Sequence, residues 1–167
     1  IPASRLIQPR AEAEVALVIG RDLNNAPHGF AEIVRAVEFA LPSLEIVDSR
    51  IADWQISIVD TVADNGSSAL FVLGEPAVPA ADIDFVSRTM SMTEDGATVS
   101  QGRGADCLGS PLLALQWLAR TARDNGSPLR AGHIVLSGAL GPMVAVRPGS
   151  NYVATIDGIG SAEVSFA

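Results

Sequence analysis

Cysteine is almost absent. Cys107 is the only one in 167 residues, so no intrachain disulfide can form and a disulfide-stapled secreted scaffold is excluded. Long apolar runs are missing as well, since no stretch reaches the roughly 18 residues of a membrane-spanning helix. Basic clusters are also missing. The formal net charge is −8, and a nucleic-acid surface needs grouped cations to neutralise phosphates. The opening Ile1-Pro2-Ala3-Ser4-Arg5 has neither an initiator Met nor the pattern of a signal peptide. These absences predict a protein with no nucleic-acid partner and no membrane segment.

The remaining composition is that of a folded globular chain, with 48% hydrophobic and 18% charged residues. Its length suffices for one domain with a real core. Fifteen glycines and ten prolines predict many turns between short elements. The acidic balance suits a bound cation. It would repel an anionic substrate unless a metal or a local basic group offsets the charge. Cys107 has the small or apolar neighbours Ala105 and Leu108 and reads as a buried structural thiol rather than a nucleophile.

Residues 12–20 alternate and then run apolar into Gly20, which predicts a strand. Residues 21–29, with Asn24-Asn25, Pro27 and Gly29, read as a loop. Phe30, Ile33, Val34, Val37 and Leu41 have helical spacing, and Pro42 would stop that helix. Residues 44–47 read as a short strand and 53–62 as a second extended stretch, followed by a turn at 64–67. Further strands are expected over 69–73, 134–136, 143–146, 152–156 and 162–166. A hairpin over 85–101 turns at residues 93–96. Residues 111–124 read as an amphipathic helix with Ser110 as N-cap, Pro111 in its first position and Asn125-Gly126 closing it. The sum is a β-rich α+β domain with two main helices.

The chemistry lies in the acids. On a strand, residues i and i+2 share a face, so Glu12 and Glu14 project side by side. On a buried face they need a cation or a shared proton, whereas on a strand entering from solvent they need nothing. Glu45 lies inside the apolar run Leu44-Glu45-Ile46-Val47. A carboxylate there must be paired, hydrogen-bonded or metal-bound, and Arg50 or Arg10 could be the pairing partner. Three hard oxygen donors would select Mg²⁺, Mn²⁺ or Ca²⁺ over softer metals. His28, in a loop, and His133, before a strand, read as surface residues.

Residues 8–23 (QPRAEAEVALVIGRDL), 42–51 (PSLEIVDSRI), 59–67 (VDTVADNGS), 107–118 (CLGSPLLALQWL) and 132–148 (GHIVLSGALGPMVAVRP) resemble the 2-keto-4-pentenoate hydratases of the fumarylacetoacetate hydrolase superfamily. The resemblance spans nearly the whole chain. It implies a mixed β-roll-like fold of the fumarylacetoacetate hydrolase type and a cytoplasmic homo-oligomer. Glu12, Glu14 and Glu45 would hold one Mg²⁺ or Mn²⁺. The partner would be a small 2-oxo or 2-hydroxydienoic acid: water would add to 2-hydroxypenta-2,4-dienoate, giving 4-hydroxy-2-oxopentanoate in aromatic or steroid catabolism.

Substrate contacts are expected from Ser67, in the turn with Asp64 and Asn65, and from backbone N–H groups of Gly138, Ala139 and Leu140 after a strand. A plain turn accounts equally well for either segment. Gln55 stands where relatives often have lysine. Relatives also carry about 100 further N-terminal residues, the length of another small domain, with the lysine and aspartate usually proposed for proton transfer. The chain therefore reads as a single metal-binding domain, the C-terminal part of a longer enzyme. A 4-oxalocrotonate-type decarboxylase, an acylpyruvate hydrolase and a non-catalytic metal-binding scaffold are the alternatives.

Overall fold

The computed structural model describes residues 1–24 and 28–167, so Asn25, Ala26 and Pro27 of the expected loop lie outside the described residues. The first predicted strand is β1 (Pro9–Ile19). Its core-facing residues Ala11, Ala13, Val15 and Leu17 are at most 2% exposed, as the alternating pattern requires. It pairs antiparallel with β2 (Val37–Asp48) over almost its whole length.

The helix expected over 30–41 is only half present. Helix α1 (Phe30–Ala36) ends where β2 begins, so Val37 to Leu41 are strand. Apolar residues at 33, 34, 37 and 41 satisfy a helical period, but the ladder with β1 overrides it. Pro42, expected to stop a helix, sits inside β2. Its carbonyl accepts from Gly74 N–H, just past the end of β3 (Ser68–Leu73). The missing N–H would point the same way, so the one ladder bond it forgoes lies at the very end of the β2–β3 pairing.

Residues 53–62 are not extended either. A short 3₁₀ turn (Ala52–Trp54) leads to helix α2 (Ile58–Ala63). Ser57 caps α2 by accepting from Asp60 N–H, and the Asp60 carboxylate reaches back to Ser57 N–H at 2.8 Å. This capping box outweighs the alternating apolar pattern that suggested a strand.

The larger sheet has the order β3-β2-β1-β7, with β7 at Ile134–Leu136. Strand β4 (Val78–Pro79) also pairs with β2, and β8 (Val144–Ala145) with β1. The second sheet contains the predicted hairpin, β5 (Thr89–Glu94) and β6 (Ala97–Arg103), joined through Asp95-Gly96. With β9 (Asn151–Ile156) and β10 (Gly160–Ser165) it has the order β10-β9-β5-β6. Strand β2 packs against β9 and β10, so the core fills the space between the sheets. Helix α3 (Pro111–Asp124) has the expected bounds, and Ser110 accepts from Leu112 N–H. It packs on α1 and is the one long helix among the described residues, where two were expected. No helix of the described residues is long and apolar enough to cross a membrane.

Candidate metal centre

Register creates the site. Glu12 lies directly opposite Glu45 across the β1–β2 ladder, and Glu14 lies opposite Ser43. Glu12 and Glu14 share a face of β1, so all three carboxyl groups meet above one patch of sheet. One oxygen of each lies within 4.8 Å of the others. Like charges directly opposite on a sheet are destabilising unless something neutralises them.

Burial sharpens the conflict. Glu14 is 2% exposed, while Glu12 and Glu45 are half-buried. Desolvation, then the neighbouring Glu45 charge, raises the Glu12 pKa. Desolvation raises that of Glu45, partly offset by contacts from Glu14 and the Ser68 hydroxyl. Glu14 is pushed up to about 8, first by burial and then by the charges of Glu45 and Glu12, against the opposing pull of the Gly138 N–H. With no cation, burial and mutual repulsion thus favour keeping a proton within the cluster. The arginines considered as partners for Glu45 are engaged elsewhere. Arg50 pairs with Asp64 at 3.4 Å, and the Arg10 guanidinium lies 4.4 Å from the Trp54 ring centroid.

The stretch after β7 supports the triad rather than standing free. Gly138 N–H donates to Glu14 Oε2 at 2.7 Å, which fixes the most buried carboxylate. Gly138 has φ 101°, a backbone conformation that residues with a side chain rarely adopt, so glycine suits this approach. Leu140 N–H donates to Ala13 C=O, and Leu140 is fully buried. Of the three N–H groups expected to contact substrate, only that of Ala139 has no partner among the described residues.

Ser67 is 2% exposed and donates to Asp64 Oδ2 at 2.8 Å. Its neighbour Ser68, rather than the expected Ser67, is the serine against Glu45. The only advance signal was the Ser-Ser pair, which left the choice to backbone geometry. Arg10 was legible as sharing the Glu12 and Glu14 face by alternation alone.

Cys107 is buried, and its thiol donates to Ser137 C=O at 2.9 Å. It is a structural thiol behind the Gly138 turn. His133 is exposed as expected. His28 is not a surface residue: it is 2% exposed, and its carbonyl accepts from Gln116 and Arg120 of α3. Docking of α3 on that segment buries it. The cations of the chain are all arginine, so no lysine within these 167 residues can act as a base.

The sequence pattern of the family described as "Fumarylacetoacetate (FAA) hydrolase C-terminal" matches residues 1–167. The chain is 54% identical over 167 residues to "2-keto-4-pentenoate hydratase 2" of Dechloromonas aromatica (strain RCB), covering 100% of this chain and 64% of that protein. It is 52% identical over 166 residues to "2-keto-4-pentenoate hydratase" of Burkholderia vietnamiensis, covering 99% and 63%. Among solved structures it matches 4-oxalocrotonate decarboxylase from Pseudomonas putida G7, complexed with magnesium and adipate. That match has a TM-score of 0.95 and 29% identity, over 100% of this chain and 64% of that one. The chain thus spans slightly under two thirds of the length of these relatives.

Proposed function

The chain belongs to the fumarylacetoacetate hydrolase family, and from that premise we propose that it is the metal-binding part of a hydratase that adds water to 2-hydroxypenta-2,4-dienoate, giving 4-hydroxy-2-oxopentanoate. The observation that carries this reading is the convergence of Glu12, Glu14 and Glu45 within 4.8 Å, together with 50–54% identity to several hydratases.

The donor set fits a hard divalent ion. Three carboxyl groups crowd a desolvated patch, and no arginine of the described residues forms an ion pair with them. Glu12, Glu14 and Glu45 would hold one Mg²⁺ or Mn²⁺. When bound, such an ion supplies Lewis-acid polarisation and counter-charge for the chelating end of a 2-oxo acid. The remaining roles belong to the chain. The Gly138 N–H fixes the angle of Glu14, and the Ser68 hydroxyl lies close enough to Glu45 to favour its charged form. Arg10, on the same face, adds positive potential beside an otherwise acidic site. The buried Cys107–Ser137 contact holds the turn that presents Gly138 and leaves the Ala139 N–H available to a substrate oxygen. The proposal includes a cytoplasmic homo-oligomer that degrades ring-cleaved aromatic compounds. Ile58, Val59 and Val62, each over 70% exposed on α2, offer apolar surface that such an assembly would cover.

The test is to incubate the enzyme that carries this chain with 2-hydroxypentadienoate, with and without Mg²⁺ or Mn²⁺. Metal-dependent loss of dienoate absorbance without CO₂ is expected. The fold match to the decarboxylase favours a second reading, and CO₂ release from oxalocrotonate would select it. Metal binding with no turnover would leave a scaffold.

A further inference from the structure

The triad is not equally open on its two sides. At the Glu14 end the sheet is sealed, with Glu14 2% exposed, Ser43 and Leu140 fully buried and Ser137 7% exposed. Along the same face Glu12 and Arg10 are both only half-buried. A ligand held by its chelating end at the triad is therefore closed off beyond Glu14 and can extend toward Arg10. Arg10 lies two strand residues, roughly 7 Å, from Glu12, a span that the carbon chain of a short dienoate covers.

At Arg10 the strand opens on a cavity of about 370 Å³, within the range of small-molecule sites. Most of its lining is apolar. Its wall is built with some strain: Asp53 and Trp54 both have φ 55°, a region that bulky residues rarely enter. What holds Trp54 there is visible. Its Nε1–H donates to Gln8 C=O at 2.9 Å, and the Gln8 side chain donates to Ser49 C=O at 2.9 Å. Ile7 and Gln8 N–H groups donate to the Asp48 carboxylate at 2.8 and 2.7 Å. The indole supports the Arg10 guanidinium face-on at 4.4 Å. Arg10 Nη1 touches only Met143 Sδ, at 3.6 Å, and Arg10 has no acidic partner among the described residues. A strained, cross-braced indole flooring an apolar cavity beside the acid triad is a built wall rather than a loose surface.

We propose that the cavity lined by Leu6, Ile7, Arg10, Trp54, Ala145 and Val146 is a second subsite, which takes the apolar tail of a 2-oxo or 2-hydroxydienoic acid whose chelating end sits at the triad. The proposal rests on the hydratase reading for the class of ligand. It adds that chain length and apolar substituents are selected here. The guanidinium lies over the indole at the rim and contributes its flat apolar faces to the wall.

The test uses the 167-residue chain with saturating Mg²⁺ and four probes: pyruvate, 2-oxobutanoate, 2-oxopentanoate and 2-oxohexanoate. Calorimetric affinity is expected to rise by up to about fourfold for each methylene that enters the cavity. Ala145 is exposed, so Ala145→Phe fills the cavity without disturbing the core, and it should flatten the series. A second readout does not depend on that variant. In a Trp117→Phe background, the emission of Trp54 should change with 2-oxohexanoate and not with pyruvate. Equal affinities across the series, or a Trp54 signal blind to chain length, would overturn the subsite while leaving the hydratase reading intact. Failure of every 2-oxo acid to bind, pyruvate included, would overturn that reading and the subsite with it.

Discussion

At the residue scale, the site is a set of carboxylates whose mutual repulsion is tolerable only with a proton or a cation among them. Glu45→Gln removes one of three anionic donors and should weaken Mg²⁺ affinity by at least about tenfold, as read by calorimetry; unchanged affinity would remove Glu45 from the ligand set. The same repulsion sets a pH dependence. Glu14 in the folded, metal-free chain titrates at about 8 against an ordinary value of 4.5. Between those values the folded state binds more protons than the unfolded chain, so this group's contribution to stability falls as pH rises through that window. The lowered carboxylates Asp22, Asp60, Asp64 and Asp84 act in the opposite sense, and only at acid pH. Thermal unfolding of the metal-free protein should therefore move to lower temperature as pH rises from 4.5 to about 8. The decline should be shallower in Glu14→Gln, where only the raised Glu12 and Glu45 remain, and suppressed by Mg²⁺, because the cation replaces the proton. A wild-type slope identical to that of Glu14→Gln would contradict the assignment.

At the scale of elements, local signals and long-range pairing divide the structure between them. Helix α3 was legible to the residue because cap, first-position proline and apolar face all agree. Ser110→Ala should lower stability by about 1 kcal/mol, measured by urea unfolding; no change would mean that its bond to Leu112 N–H is dispensable. Where signals disagreed, the pairing decided. Val37 to Leu41 fit a helix in isolation and became strand because β1 offers a full-length partner. Residues 58–63 carried a strand-like pattern, but Ser57 and Asp60 close a capping box and α2 forms. The Glu12–Glu14 pair was readable from alternation. That Glu45 faces Glu12 depends on a register that no single strand specifies. The same holds for Ser68 against Glu45 and for Gly138 beneath Glu14, since both contacts join segments distant in sequence.

At the scale of the whole molecule, two sheets pack into one core while the outer face of the larger sheet carries the chemistry. The acid triad spans β1 and β2, and Arg10, two residues along β1 from Glu12, stacks on Trp54 at the wall of the cavity. The position of the triad explains how a chain of net charge −8 could serve an anionic substrate, since the three clustered acids would be offset by an ion they share. The most direct test is anomalous diffraction from crystals of this chain grown with Mn²⁺. One strong peak is predicted, within coordinating distance of Glu12, Glu14 and Glu45 together. A peak elsewhere, or none beside these three carboxylates at saturating Mn²⁺, would contradict the account.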